Sequence, residues 1–249
     1  DGFVVLPGVV DDERLGELAA ALQTRYDELV QRGQMFTGGG TVSGHLNCYP
    51  GAGARFVYEA LDRAGVLDIA RTRDPDAFDR LRVTMNFNLP GSHDQHYHAD
   101  GLYVEEFLIF NVAVVDTDLV NGAIDMLPAT HRRFYRFWEF CTHRLWRRST
   151  RIQMSKGDVL VRLSTTWHRG MHNGSERARP MLSFTFGEVS APYADPFVMN
   201  GGGITFFPNW YSTNRKGQLK EQGFVSVPYL YSTLRLGRSL VGKKGYATW

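Results

Sequence analysis

The 249-residue chain has only two cysteines, Cys48 and Cys141. They lie far apart and neither belongs to a CxxC pair, which excludes a disulfide framework and a zinc knuckle. Reduced thiols and a cytoplasmic location are the expectation. No apolar run approaches the ~20 residues needed to cross a bilayer, so no membrane partner is expected. The opening Asp1-Gly2-Phe3 has neither the basic region nor the apolar stretch of a leader. Neither sign of charge is in excess: 28 Lys and Arg face 26 Asp and Glu, for a net +2. That balance gives no argument for a nucleic-acid partner. Repeats and low-complexity linkers are absent too, so residues 1–249 read as one domain with an aromatic-rich extension from about residue 195.

What is present is patterned. Phe3 to Val10 reads as a short strand ending at the Pro7-Gly8 turn. With Asp11 as N-cap, Leu15, Leu18, Leu22, Tyr26 and Leu29 recur at helical spacing as far as Arg32. A second helical pattern covers Arg55 to Arg71. Between them, Phe36 to His45 holds four glycines and reads as a mobile loop. From Leu81 the period changes to that of strands: 82–89, the nearly continuous apolar run 107–115, then 123–127, 158–163 and 181–189. Helices first and short strands later predict an α+β, β-rich fold, with a double-stranded β-helix (jelly-roll, cupin-like) core and flanking helices.

Two segments carry chemistry. His98 and Asp100 stand two apart in Asp94-Gln95-His96-Tyr97-His98-Ala99-Asp100-Gly101, so an extended strand would place them on one face, with His96 one step back. His168 follows in Trp167-His168-Arg169-Gly170-Met171-His172. Two imidazoles and a carboxylate can occupy one face of an octahedral metal and leave the other open, the facial triad of non-heme Fe(II) oxygenases. HxD by itself is a weak motif. Arg179, eleven residues beyond His168, strengthens it, because a guanidinium there could grip the distal carboxylate of a keto acid. Arg177 competes with Arg179 for that role, and His172 competes with His168 as the distal ligand. Strand onset near residue 179 favours Arg179, and the spacing to Arg179 together with the preceding Trp167 favours His168.

These residues carry a resemblance. The chain resembles the phytanoyl-CoA dioxygenase-like branch of the Fe(II)/2-oxoglutarate-dependent oxygenases over roughly Asp1 to Val189. The likeness runs through Asp-Gly-Phe-Val-Val-Leu-Pro-Gly-Val at the start, then His98-Ala99-Asp100-Gly101, Asn121-Gly122 and Leu127-Pro128-Ala129-Thr130-His131. It continues through Lys156-Gly157-Asp158 and ends at His168, Asn173, Ser175 and Arg179. It implies Fe(II) held by His98, Asp100 and His168, 2-oxoglutarate anchored by Arg179, and O2 as oxidant. It implies a C–H oxidation of a small molecule, with succinate and CO2 released, as hydroxylation, desaturation or ring closure. Asp100 occupies the place that is vacated for chloride in halogenating relatives, which favours oxidation over halogenation. Asn111 falls near a cofactor-facing position of the central strand. Gly170 replaces a serine that touches the cofactor in relatives, so that contact is in question.

The remaining features stay open. His45 in the glycine-rich loop reads as an exposed loop histidine or as a lid residue touching substrate. His96 reads as a substrate-contacting neighbour rather than a fourth ligand. His131 reads as a turn residue, His93 and His143 as surface residues. The basic run Arg144 to Arg151 reads as a solvated surface, or as an attractor of anionic substrates. The aromatic extension would complete the core, form a homodimer interface, or line a pocket for a bulky or glycosidic substrate. Residue usage typical of a high-GC bacterium points by analogy to tailoring of a secondary metabolite, such as a glycoside or oligosaccharide antibiotic. Two other classes remain: a cupin-type zinc hydrolase or isomerase on the same triad, and a non-catalytic carbohydrate-binding β-sandwich.

Overall fold

A computed structural model describes residues 1–11, 13–78, 80–187 and 195–241. The strands are β1 (Phe3–Leu6), β2 (His45–Tyr49), β3 (Leu81–Asn88), β4 (Leu108–Ala113), β5 (Ile124–Met126), β6 (Thr150–Ile152), β7 (Val159–Leu163), β8 (His168–Arg169), β9 (Arg179–Phe186) and β10 (Thr205–Phe207). The helices are α1 (Arg14–Gln31), α2 (Arg55–Arg63), α3 (Asp68–Arg73), α4 (Phe137–Thr142), α5 (Arg215–Ser226) and α6 (Pro228–Leu240). Seven strands form one antiparallel sheet in the order β1-β7-β4-β9-β3-β2-β10, and β6-β5-β8 form a second.

Alternation along the large sheet explains what each face does. On β3, Val83, Met85 and Phe87 point to one side with Leu182, Phe184 and Phe186 of β9, and with Phe110 and Val112 of β4. That side packs on Leu15, Leu18 and Leu22 of α1 and on Phe56, Val57 and Leu61 of α2, forming the main core. The opposite side faces the small sheet. There Ile124 and Met126 of β5 meet Ala113, Leu160 and Met181, closing one end of the space between the sheets. The run expected at 107–115 is β4, buried at every position because it is covered on both faces.

Several sequence expectations change. The first helix starts at Arg14 with Glu13 as N-cap, not at Asp11. The second pattern divides into α2 and α3, broken at Ala64-Gly65, where Gly65 takes a positive φ of 68°. The expected mobile loop is tied down. Buried Glu221 of α5 accepts hydrogen bonds from the Gly40 and Ser43 amides and from the Ser43 hydroxyl. His45 is not a loop residue; it opens β2 and is 1% exposed. Residues 92–97 do not form a strand, so the reading of His96, His98 and Asp100 as one strand face fails for His96. Glu188 and Val189 of the last expected strand, and 242–249 of the extension, lie outside the described residues. The rest of the extension gives β10, α5 and α6, which the sequence reading left without structure. No helix among the described residues is long and apolar enough to cross a membrane.

Candidate metal centre

The chain enters the space between the sheets at His98, which forms an isolated antiparallel bridge with His168 of β8. Paired backbone bonds, from His98 N to His168 O and from His168 N to His98 O, lock the two histidines side by side. Asp100 N donates to Ser164 O, which holds the next turn. The imidazole nitrogens of His98 and His168 and a carboxylate oxygen of Asp100 thereby come within 4.8 Å of one another. His98 Nε2 is 3.8 Å from Asp100 Oδ1, and His168 Nε2 is 3.5 Å from Oδ2.

The tautomers follow from local hydrogen bonds. His98 Nδ1 lies 2.8 Å from the His96 carbonyl, and His168 Nδ1 lies 3.0 Å from the Thr166 carbonyl. A carbonyl can only accept, so each Nδ1 carries the proton and each Nε2 presents its lone pair to the other two groups. This is the arrangement by which outer contacts orient metal-binding histidines. Burial pushes both imidazoles below their ordinary range. Asp100 goes the other way to its burial. Desolvation alone would raise it, but the Arg162 charge and the two histidines hold the carboxyl well below the usual range. The centre therefore offers two neutral nitrogens and one anionic oxygen at neutral pH, a donor set suited to a divalent ion with coordination positions to spare.

The cavity beside this centre has a volume of about 340 Å³, within the range of small-molecule sites. Its wall is the face of the large sheet that does not join the core. Thr84 and Asn86 of β3, Ser183 and Thr185 of β9, Asn111 of β4 and Arg162 of β7 all line it. Arg179 stands at the start of β9, 1% exposed. Its Nη2 donates to the Gly122 carbonyl at 3.3 Å, while its Nε is buried without an acceptor. Burial pushes this guanidinium down to about 10, still charged at neutral pH. Asn173 positions it: its amide donates to Asn88 O and Arg177 O and its Oδ1 accepts from Ser175, which shapes the turn into β9. Two buried donors without partners beside a three-ligand cluster, Arg179 Nε and Arg162 Nη1, fit a metal together with a small dianion.

The other sequence candidates separate clearly. Arg177 is exposed, which removes it as the competing clamp. His172 is also exposed and engages Ser92 O with Nδ1 at 2.5 Å, away from the cluster. Asn111 lines the cavity but gives its amide to Ser183 and accepts from Arg162. His45 lines the same cavity, with Nε2 2.7 Å from His93 O. Gly170 has a local reason: a Cβ there would lie 2.8 Å from Gln95 Oε1 and 2.9 Å from His45 Cε1. Those two side chains fill the space a serine would need.

His96 turns away and stacks on Tyr231 of α6 at 4.2 Å between ring centroids. It lines a second cavity of about 540 Å³ with Trp210, Tyr211 and Phe224. His45, Gln95, His98, Asn209 and Trp210 border both cavities. The residue that sequence reasoning missed is Arg162. Its only sequence signal is a charge in the otherwise apolar run Val159-Leu160-Val161-Arg162-Leu163.

Comparison with known proteins completes the picture. The family model "Phytanoyl-CoA dioxygenase (PhyH)" matches residues 1–181. Among solved structures, the non-heme alpha-ketoglutarate-dependent carbocyclase SnoK from nogalamycin biosynthesis is 17% identical with a TM-score of 0.57, covering 85% of this chain and 90% of its own. The epimerase SnoN, solved with Fe3+, alpha-ketoglutarate and nogalamycin RO, is 17% identical with a TM-score of 0.55, covering 82% and 91%. HygX from Streptomyces hygroscopicus, solved with nickel and 2-oxoglutarate, is 13% identical with a TM-score of 0.53, covering 81% and 91%. At these identities the structural matches establish the fold they share, and the match over most of the chain establishes more: it belongs to the phytanoyl-CoA dioxygenase family, and is an iron- and 2-oxoglutarate-dependent oxygenase.

Proposed function

We propose that His98, Asp100 and His168 are the iron ligands, that Arg179 anchors the distal carboxylate of 2-oxoglutarate, and that the enzyme oxidises a C–H bond of a polar small molecule. The observation that carries this is the clustering of three ligand atoms within 4.8 Å beside a buried guanidinium with an unmet donor. Bound there, iron, 2-oxoglutarate and O2 supply the oxidising power, with succinate and CO2 released. The chain's own residues do the rest. Nδ1–H bonds to the His96 and Thr166 carbonyls aim the two imidazoles. Ile124 and Met181 close the inner end of the cavity to water. Thr84, Asn86, Ser183 and Thr185 offer hydrogen bonds along the wall, and Phe207 and Trp210 line it as flat apolar surfaces. Such a wall suits a polyhydroxylated or glycosidic substrate, since rings pack on sugar C–H faces while hydroxyls take the polar groups. The nogalamycin-pathway neighbours support a secondary-metabolite substrate.

The two sheets are read as a double-stranded β-helix in one oxygenase domain, its extension from about residue 195 closing the side of the site. Zinc hydrolase chemistry and passive sugar binding give way to the oxygenase reading, because neither uses the buried Arg179. Succinate formation that requires both added Fe(II) and added 2-oxoglutarate, and disappears in His98→Ala, tests the assignment. Succinate formation that survives His98→Ala overturns the ligand set.

A further inference from the structure

Arg162 is a second buried guanidinium in the same cavity, 6% exposed. It comes from β7, at the register position opposite Ile109 of β4. Nη2 donates to Asp100 Oδ2 at 2.6 Å. Nε donates to Asn111 Oδ1 at 2.8 Å, and Asn111 is in turn fixed by its 2.6 Å bond to Ser183 Oγ. The sheet thus holds the guanidinium on one side and Asp100 on the other. Nη1 is buried with no acceptor.

Charge counting points to what Nη1 meets. Among the described residues that line the cavity, Arg162 and Arg179 are buried cations, Arg82 is a further cation, and Asp100 is the one anion. Buried charges of one sign are tolerated only when paired. A clamp at Arg179 alone accounts for one unmet guanidinium edge and leaves the other bare. A dianion with carboxylates at both ends meets both edges.

We propose that Arg162 is a positioning residue serving two carboxylates. It binds Asp100 through Oδ2, so that Oδ1 is the oxygen left for the metal. It offers Nη1 to the keto-acid carboxylate next to the keto group, while Arg179 takes the far one. Asp100 is then a one-oxygen ligand, which keeps a coordination position open. This rests on the assignment of the preceding subsection.

The test compares two keto acids by titration calorimetry on the Mn(II)-loaded protein, which binds without turning over. 2-Oxoglutarate carries both carboxylates; 2-oxobutyrate lacks the distal one. Arg162→Gln is expected to weaken both by a similar factor, tenfold or more. Arg179→Gln is expected to weaken 2-oxoglutarate and leave 2-oxobutyrate within threefold. Arg162→Lys keeps the charge but not the fork, and is expected to recover Mn(II) affinity in part without restoring either keto acid. It carries the same comparison should Arg162→Gln fail to fold. Equal binding of 2-oxobutyrate by Arg162→Gln and wild type overturns the proposal, as does a loss confined to 2-oxoglutarate. Failure of the underlying assignment looks different: wild type would bind Mn(II) no better than His168→Ala.

Discussion

Replacing Arg179 by methionine is expected to move stability and ligand affinity in opposite directions. The guanidinium is 1% exposed, has one acceptor at 3.3 Å and leaves Nε without any. Burial pushes it from the ordinary guanidinium range down to about 10, which corresponds to roughly 3 kcal/mol of unmet desolvation. Methionine fills similar space without that cost, so the ligand-free protein should gain stability. At about 2–4 °C per kcal/mol for a chain of this size, the melting temperature should rise by several degrees. Binding of 2-oxoglutarate should weaken by about 150- to 4000-fold, the roughly 3–5 kcal/mol that follows from removing one partner of a buried ion pair. Differential scanning calorimetry of the apoprotein and titration of the Mn(II)-loaded form with 2-oxoglutarate read the two effects. A melting temperature that falls while 2-oxoglutarate affinity stays within threefold would refute the reasoning, because Arg179 would then be a structural residue.

Other perturbations follow from the same structure. Glu221→Gln removes a buried anion that accepts from the Gly40 and Ser43 amides, bonds of about 1.5–3 kcal/mol each to a charged group. Amide exchange at residues 38–44 should speed up at least tenfold, and unchanged protection would mean that the loop is held otherwise. Arg235→Leu removes the 2.7 Å bond to Tyr97 O and the stacking over Trp167 and Phe137 that dock α6. A stability loss of roughly 2–4 kcal/mol is expected in denaturant melts, and a loss below about 0.5 kcal/mol, the level of an ordinary surface change, would contradict that docking. Burial lowers His45 and His96 to about 4 from 6.5. The unfolded chain therefore binds more protons between those values, so stability is full above pH 6.5 and falls as pH drops toward 4. His96→Phe should flatten part of that fall in the apoprotein, and an unchanged pH profile would remove His96 from its cause.

The metal-centre candidates were legible because their chemistry is tied to residue type and spacing. His98, Asp100, His168 and Arg179 stand out by residue type and by their spacing, and the structure brings them to one cavity. The strands of the large sheet were legible for a related reason: β3 alternates with period two, and β4 is apolar at nearly every position because both of its faces are covered. His45 was misplaced because glycines at 38–40 and 44 signal mobility locally. What orders that loop is Glu221, 178 residues beyond Ser43, and no local pattern reports it. Residues 92–97 misled in the opposite sense. The two-residue spacing of His96, His98 and Asp100 would give one face on an extended strand, but only His98 finds a bridging partner, and His96 is drawn to Tyr231. In α5 and α6 the aromatic residues hid the helical period, since Phe224 and Tyr231 join Tyr211, ahead of α5, in a small separate cluster rather than the main core.

The most direct test of the metal centre is anomalous diffraction from crystals grown with Mn(II) and 2-oxoglutarate. One peak is expected within direct coordination distance of His98 Nε2, His168 Nε2 and one oxygen of Asp100, with the keto acid reaching Arg179. A peak that leaves out any of the three residues, or a keto acid whose distal carboxylate lies away from Arg179, would contradict the account.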